Sequence, residues 1–267
     1  MIIDRKYLQP PPAYSEVPGP AVSRTALEFK DLPPHILLDV VYLTLPQMPG
    51  YDDSIPERQR RVLWWLSSSL RLVNRAFYIA CMHILRSAYL PIYLSHIQPP
   101  YTTDPFPLSS TSYSSRASVQ SLQRETQVLD LFIALKVRDD VLADSTSLHL
   151  GNDDSFRDIF SLMQPRARLE DLVRKYGVRE GAVYVPGSPP ETPVGEEPLP
   201  RRVNFSALSI TFSPRRVGLV FALRGGTKKT IIDVQRMARD ETLEVTAKRI
   251  ARELGSWVAR NSWGEPW

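Results

Sequence analysis

The sequence predicts an α+β protein, in which a helical N-terminal region precedes a C-terminal region that ends in a β-β-β-α order. Apolar residues recur at three- and four-residue spacing from Leu27 to about Ile97, which is typical of helices. After residue 202 they alternate with a period of two, which is typical of strands, and an amphipathic helical pattern follows from Asp240. The hydrophobic fraction of 43% is close to that of ordinary globular proteins, so we expect a packed core.

Proline distribution divides the chain of 267 residues, which contains 24 prolines. Residues 1–25 are rich in proline without hydrophobic periodicity, and they predict a disordered tail. Residues 26–97 form the helical region, and residues 98–121 a Ser/Pro-rich linker. The remaining residues, 122–267, form the α+β region with the β-β-β-α end. The helical and α+β regions are compatible with one body or two.

The N-terminal helices follow from two apolar patterns. Residues 32–45, LPPHILLDVVYLTL, place Ile36, Leu37 and Val40 on one side, with prolines at the first turn where a missing N–H costs little. A second helix is expected from Pro56, with apolar residues sharing one face as far as Ile84. Pro91 is expected to end or kink it.

The C-terminal region is expected to contain helices over 122–143, near 156–163 and over 169–176, with Gly177 as the C-cap of the last. Two alternating patterns of opposite phase meet at residues 207–208, which indicates a β-bulge. Gly225-Gly226 indicates a hairpin turn between the next two strands. Asp240 is the expected N-cap of the final helix.

Catalytic and metal-binding patterns are not found in the sequence. The one cysteine, Cys81, excludes an internal disulfide, and the four histidines do not have metal-ligand spacing. We therefore expect no enzyme activity and no cofactor. Residues 1–20 lack the apolar segment of a secretory signal, so an intracellular location, cytoplasmic or nuclear, is expected. Residues 76–97 are apolar but include charged and proline residues, which favours a buried helix and predicts no membrane span.

Charge is unevenly distributed, since residues 201–267 hold 13 Lys/Arg against 6 Asp/Glu. An α-β-β-β-α order with a basic balance resembles a double-stranded-RNA-binding domain, which implies phosphate contacts by lysines at the start of the last helix. Here that start is Asp240-Glu241-Thr242-Leu243-Glu244, whose carboxylates would repel phosphate. Nucleic-acid binding is therefore the less favoured alternative.

A short peptide motif lies in the proline-rich tail, where Pro11-Pro12-Ala13-Tyr14 matches the PPxY pattern of ligands for WW domains. Adjacent prolines hold a polyproline II conformation before binding, so little conformational entropy is lost on docking to an aromatic-lined groove. Pro11, Pro12 and Tyr14 are the residues expected to contact a WW-domain protein.

Two stretches carry a family resemblance. Residues 32–45, beginning Leu32-Pro33, resemble the opening helix of an F-box, and residues 69–78, SLRLVNRAFY, are similar to its later helix. The chain also resembles small uncharacterised fungal proteins with an F-box-like start. Asn74 stands where the family usually has cysteine, and residues 46–68 between the two stretches are longer than usual.

The resemblance implies a surface for the adaptor subunit of a cullin-RING ubiquitin ligase, with the C-terminal region as the candidate substrate-selecting module. The residues that it implies are Leu32, Pro33, Ile36, Leu37, Val40, Val73 and Phe77. The alternative is a helical hairpin whose apolar face belongs to the core, in a structural protein without these partners. Exposure of the face would distinguish the two, because a docking surface must present apolar side chains to solvent.

Overall fold

The computed structural model describes residues 32–48, 54–101, 123–143, 156–185, 202–223, 226–238 and 240–261. It confirms the α+β class. The PPxY motif, the tail and most of the predicted linker lie outside these residues. The helices are α1 (Pro34–Leu43), α2 (Ile55–Ser68), α3 (Arg75–His96), α4 (Arg124–Ala143), α5 (Gln164–Arg179) and α6 (Leu243–Asn261). The strands are β1 (Val183–Tyr184), β2 (Val203–Asn204), β3 (Leu208–Phe212), β4 (Arg216–Ala222) and β5 (Lys228–Gln235).

Two compact units are present, and each draws on two stretches of the chain. Unit 1 comprises residues up to Tyr93 together with Leu129–Asn152, and unit 2 comprises Leu94–Val128 together with Asp153–Trp267. Helices α3 and α4 therefore each begin in one unit and end in the other. The sequence-based division assigned all of α4 to the C-terminal region. The difference arises because the apolar residues of α4 after Val128 pack within unit 1.

In unit 1 the structure replaces one expected long helix by two. Helix α2 ends at Ser68, and a 3-10 turn over Leu70–Leu72 precedes α3. The side chain of Asn74 accepts a hydrogen bond from the backbone N–H of Phe77 at 2.8 Å, which caps the start of α3. Serines 67–69 and this capping residue interrupt the helix locally, whereas Pro91 lies inside α3 without ending it.

Large side chains from α2, α3 and α4 form the core of unit 1. Its most deeply buried members include Leu66, Ile84, Leu85, Tyr89, Tyr93 and Phe132. Among the residues that the structure describes, α3 is a helix whose length and apolar composition would suffice to cross a membrane, and a buried core helix meets the same test. Its side chains from Ala80 to Tyr93 supply much of this core.

Unit 2 contains a helix with an irregular start. A π-helical turn over Ile159–Met163 leads directly into α5. Gly177 lies within α5, and the glycine with positive φ just beyond the end of this helix is Gly181, at 72°. The expected C-cap at Gly177 is therefore wrong. A Cβ on Gly177 would lie 2.6 Å from Cγ2 of Val183, so this glycine permits close approach of the chain rather than a left-handed turn.

The β-β-β-α order is confirmed in unit 2. Strands β3, β4 and β5 form an antiparallel sheet in that order, while β1 and β2 pair in parallel separately. The expected bulge near residue 207 is instead a 3-10 turn over Phe205–Ala207, and the sheet irregularity lies between Leu219 and Val220. Helix α6 begins at Leu243, three residues after the expected cap. Its apolar face joins α5 and the sheet in one core, through Leu243, Ala247, Ile250, Leu254 and Val258.

Candidate functional site

Helix α1 is apolar on two sides, so the expectation that Ile36, Leu37 and Val40 share one side is wrong. Leu37 and Val41 are 2% and 1% exposed and face the core. Ile36 and Val40 are each 40% exposed, and Leu43 is exposed further along. Positions 36, 40 and 43 are spaced by four and three residues, so their side chains form one stripe on the outer side of the helix. The helix therefore presents apolar surface to solvent in addition to the surface that it buries.

Apolar side chains are also exposed around the turn between α2 and α3. Val73 is 64% exposed, and Leu72 beside it is similarly exposed. At the start of α3, Tyr78 and Ile79 are exposed and Phe77 is half-buried. The Asn74 cap holds the first turn of α3, so this apolar set is carried on ordered backbone.

The seven residues implied for an adaptor surface differ in how far the structure exposes them to solvent. Pro33, Ile36, Val40 and Val73 are exposed, and Leu32 and Phe77 are half-buried. Leu37 is buried and packs in the core of unit 1, so it is a structural residue of α1 rather than a contact residue. We call the exposed members, together with Leu43 and Leu72, the apolar surface of unit 1; it comprises one set on α1 and a second set at the turn before α3. Pro11, Pro12 and Tyr14 lie outside the described residues.

Sequence reasoning missed two exposed tryptophans on α2. Trp64 and Trp65 lie between the buried residues Leu63 and Leu66, and both tryptophans are exposed. A signal for this was present, because four consecutive apolar residues cannot all face one side of a helix. Aromatic side chains of this size are enriched in protein interfaces. They add to the apolar character of unit 1.

Charged contacts hold α3 against α4 within unit 1. Arg86 donates to both carboxylate oxygens of Asp130 at 2.7 Å, a bidentate geometry, and hydrogen bonding to Asp130 raises the pKa of Arg86. The hydroxyl of Tyr89 donates to Asp140 at 3.0 Å, and Lys136 pairs with the same carboxylate at 2.8 Å. Asp140 therefore joins α4 to α3 within unit 1.

A buried polar network fixes the start of α4 in unit 2. Asp171 on α5 accepts hydrogen bonds from the backbone N–H groups of Arg124 and Glu125, both at 3.0 Å. The guanidinium of Arg124 pairs with Glu170 at 2.9 Å and donates to the carbonyl of Leu208 at 2.8 Å. Glu170 also accepts from the N–H of Ile210. Helices α4 and α5 and strand β3 are thereby joined.

Glu125 has the strongest electrostatic perturbation in this network. It is 0% exposed, accepts a hydrogen bond from Gln164 at 2.9 Å, and lies 3.5 Å from Arg168. Burial raises the pKa of its carboxyl to about 7 against the opposing effects of Gln164 and Arg168. Burial likewise raises the pKa of Asp171. A perturbed carboxyl can mark an acid–base site, but a fully buried one does not meet a substrate, so we interpret Glu125 as structural.

The alternative of nucleic-acid binding can be compared with the geometry of α6. Glu241 precedes α6 and Glu244 lies in its first turn. The carboxylate of Glu241 accepts from the N–H of Met237 at 2.9 Å and pairs with Arg249 at 3.4 Å. The exposed Lys228 and Lys229 begin β5 instead. The lysine-rich helix start that the RNA-binding resemblance implies is thus replaced by carboxylates.

No family model, curated protein or solved structure gives a significant match to this chain. Within the described ranges, no group of three or more His, Cys, Asp or Glu side chains is placed to hold a metal ion.

Proposed function

We propose that this protein is an adaptor that works by binding other proteins, and that the apolar surface of unit 1 docks on the adaptor subunit of a cullin-RING ubiquitin ligase. In this proposal the chain supplies binding surfaces and no catalytic groups. Unit 2 is the candidate module for substrate selection.

One observation carries the proposal: Ile36 and Val40 are solvent-exposed on a helix that already buries Leu37 and Val41. Apolar side chains that only built a core would lie on the buried side. Exposed apolar residues grouped on a surface mark interaction sites more often than single scattered ones do. Ile36 and Val40 lie in the first of the two stretches that resemble an F-box, and this resemblance selects the class of partner.

The test is a binding titration of the full chain against the purified ligase adaptor subunit. Ile36→Ser/Val40→Ser is compared with the control Leu131→Ser/Leu142→Ser. The control removes two exposed apolar side chains of unit 1 that lie outside the F-box-like stretches. Truncating two central interface residues costs about 1 to 2 kcal/mol each, so we expect Kd to rise at least about tenfold in the first variant and little in the control.

Both variants change exposed residues, so circular dichroism should show unchanged helix content. Failure of the folded wild-type chain to bind would remove the ligase-adaptor proposal. Equal weakening in both double variants would show that binding does not depend on this surface.

A second candidate function rests on the PPxY motif at Pro11, Pro12 and Tyr14, which is a sequence observation. We propose that this motif recruits a WW-domain protein, such as a WW-containing ubiquitin ligase. Tyr14→Ala in the full chain should abolish binding to an isolated WW domain and leave the Ile36/Val40-dependent interaction intact. Unchanged WW binding by Tyr14→Ala would refute the assignment.

A further inference from the structure

A cleft rich in arginine lies in unit 2. It has a volume of about 610 Å³ and is lined by Arg215, Arg216, Gln235, Arg236, Met237 and Ala238. The first two residues lie at the β3–β4 turn and the start of β4, and the others follow the end of β5. We call it the arginine cleft. Its lining contains three cationic side chains and no carboxylate.

Arg236 is the unusual member of the arginine cleft because it is only 6% exposed. Its guanidinium donates to the hydroxyl of Tyr101 at 3.4 Å, to the carbonyl of Pro214 at 3.2 Å and to the carbonyl of Glu241. Its Nε has no hydrogen-bond partner. All three acceptors are neutral oxygens, and in the described part of the chain Arg236 forms no ion pair with a carboxylate. A buried cation without a counterion is energetically unfavourable unless an anion compensates it.

Two neighbouring aromatic rings help to fix the position of this guanidinium. It lies 5.7 Å from the ring centroid of Tyr101 and 5.8 Å from that of Phe212, within cation–π range. The two rings contact each other edge to face, and their centroids are 5.7 Å apart. The backbone N–H of Arg236 also donates to the carbonyl of Arg215 at 2.9 Å, so the two arginines are held side by side. A positive charge is thus preorganised at the floor of the cleft.

The exposed arginines supply the donors that a ligand could reach. Arg216 pairs with Asp233 through a bidentate contact at the surface. Arg215 is exposed, and within the described residues its guanidinium takes part in no ion pair. Near the cleft, Asp233 offsets Arg216 and Glu241 offsets Arg249, while no ion pair within the described residues involves Arg215 or Arg236. In the lining of the cleft, these two arginines are the local excess of positive charge.

We infer that the arginine cleft binds a phosphate monoester, with Arg215 as the direct ligand and Arg236 as the fixed positive charge beneath it. A phosphate monoester carries close to two negative charges near pH 7 and accepts several charge-assisted hydrogen bonds, which matches the local excess. Planar guanidinium groups suit this geometry better than ammonium groups. The phosphate could belong to a small metabolite or to a phosphorylated peptide, since both present the same group.

The test uses the full chain and isothermal titration calorimetry at constant ionic strength. The probes are inorganic phosphate, a short phosphoserine peptide and its unphosphorylated twin. Arg215→Gln removes one exposed charge from the cleft, and Arg252→Gln removes one exposed charge from α6 as a matched control. We expect phosphate and the phosphopeptide to bind wild type, Arg215→Gln to weaken binding at least about tenfold, and Arg252→Gln to change it little.

The probes distinguish a small phosphate compound from a phosphorylated protein as the source of the phosphate group. Tighter binding of the phosphopeptide than of inorganic phosphate would assign the site to phosphorylated protein, and equal binding would assign it to small phosphate compounds. Arg236→Lys, which keeps the charge but loses the planar donor, should also weaken binding in a chain that remains folded by circular dichroism. The inference is overturned if the folded wild-type chain binds neither inorganic phosphate nor the phosphoserine peptide at millimolar concentration. It is equally overturned if Arg252→Gln weakens binding as much as Arg215→Gln.

Discussion

Replacing Glu125 by glutamine tests the buried network of unit 2. The glutamine side chain resembles a neutral carboxyl in size, and it retains an oxygen that can accept from Gln164. Burial raises the pKa of Glu125 from its ordinary 4.5 to about 7, which corresponds to about 3 kcal/mol of differential stabilisation of the protonated form. Glu125→Gln removes this ionisation.

The direction of the pH dependence follows from the number of protons that the folded and unfolded states bind. Between pH 4.5 and 7 the folded protein holds the Glu125 proton and the unfolded chain does not, so this group makes the free energy of unfolding fall as pH rises. Its stabilising contribution is complete below about pH 4.5 and is lost as pH passes through about 7. Glu125→Gln should therefore be close to wild type at pH 5. It should gain about 2 to 3 kcal/mol relative to wild type by pH 8.

Urea denaturation followed by circular dichroism at pH 5, 6, 7 and 8 measures this difference. Glu253→Gln on the exposed side of α6 is the matched control and should parallel wild type at every pH. Groups that do not interact with Glu125 affect wild type and variant alike and cancel to first order, whereas the charge of Asp171 contributes to the raised pKa of Glu125. A difference between wild type and Glu125→Gln that stays constant from pH 5 to 8 would refute the reasoning.

Two further predictions concern packing. Gly177→Ala should lower the free energy of unfolding by about 1 to 3 kcal/mol, because its Cβ would lie 2.6 Å from Val183, whereas Gly255→Ala in open space on α6 should raise it by about 1 kcal/mol. Urea denaturation of both variants measures the two changes in the free energy of unfolding. A loss of stability in both variants would contradict the expectation that only a Cβ at position 177 lacks space. Cys81 is fully buried, and burial raises the pKa of its thiol to about 11, partly opposed by Arg71. A thiol reagent at pH 8 should label it quickly in urea and slowly in buffer, and rapid labelling in buffer would show that the core of unit 1 opens.

Local residue patterns predicted many of the elements correctly. The three- and four-residue spacing placed α1, α4 and α6, and the alternation after residue 202 placed the three-stranded sheet. Failures occurred where a single local interaction decided the outcome. Asn74 caps α3 and breaks the long helix expected from Pro56. Gly177 was interpreted as a helix cap, although its role is close contact with Val183, a residue in another element.

The candidate surface was only partly predictable. Ile36, Leu37 and Val40 belong to one apolar run, and a helical pattern alone does not say which of them meets solvent. The structure buries Leu37 and exposes the other two, because only one side of α1 faces the core of unit 1. The exposed Trp64 and Trp65 were missed although their place in a run of four apolar residues indicates that part of the run must face away from the core.

By itself the sequence determined the α+β class and the β-β-β-α order, because hydrophobic periodicity acts over a few neighbouring residues. Tertiary structure decided which apolar side chains remain exposed. It also placed Arg236 beside Arg215 and enclosed Glu125 among Gln164, Arg168 and Asp171. These outcomes depend on contacts between residues about 20 to 50 positions apart. A burial or pKa that arises from such contacts exists only once the segments have met.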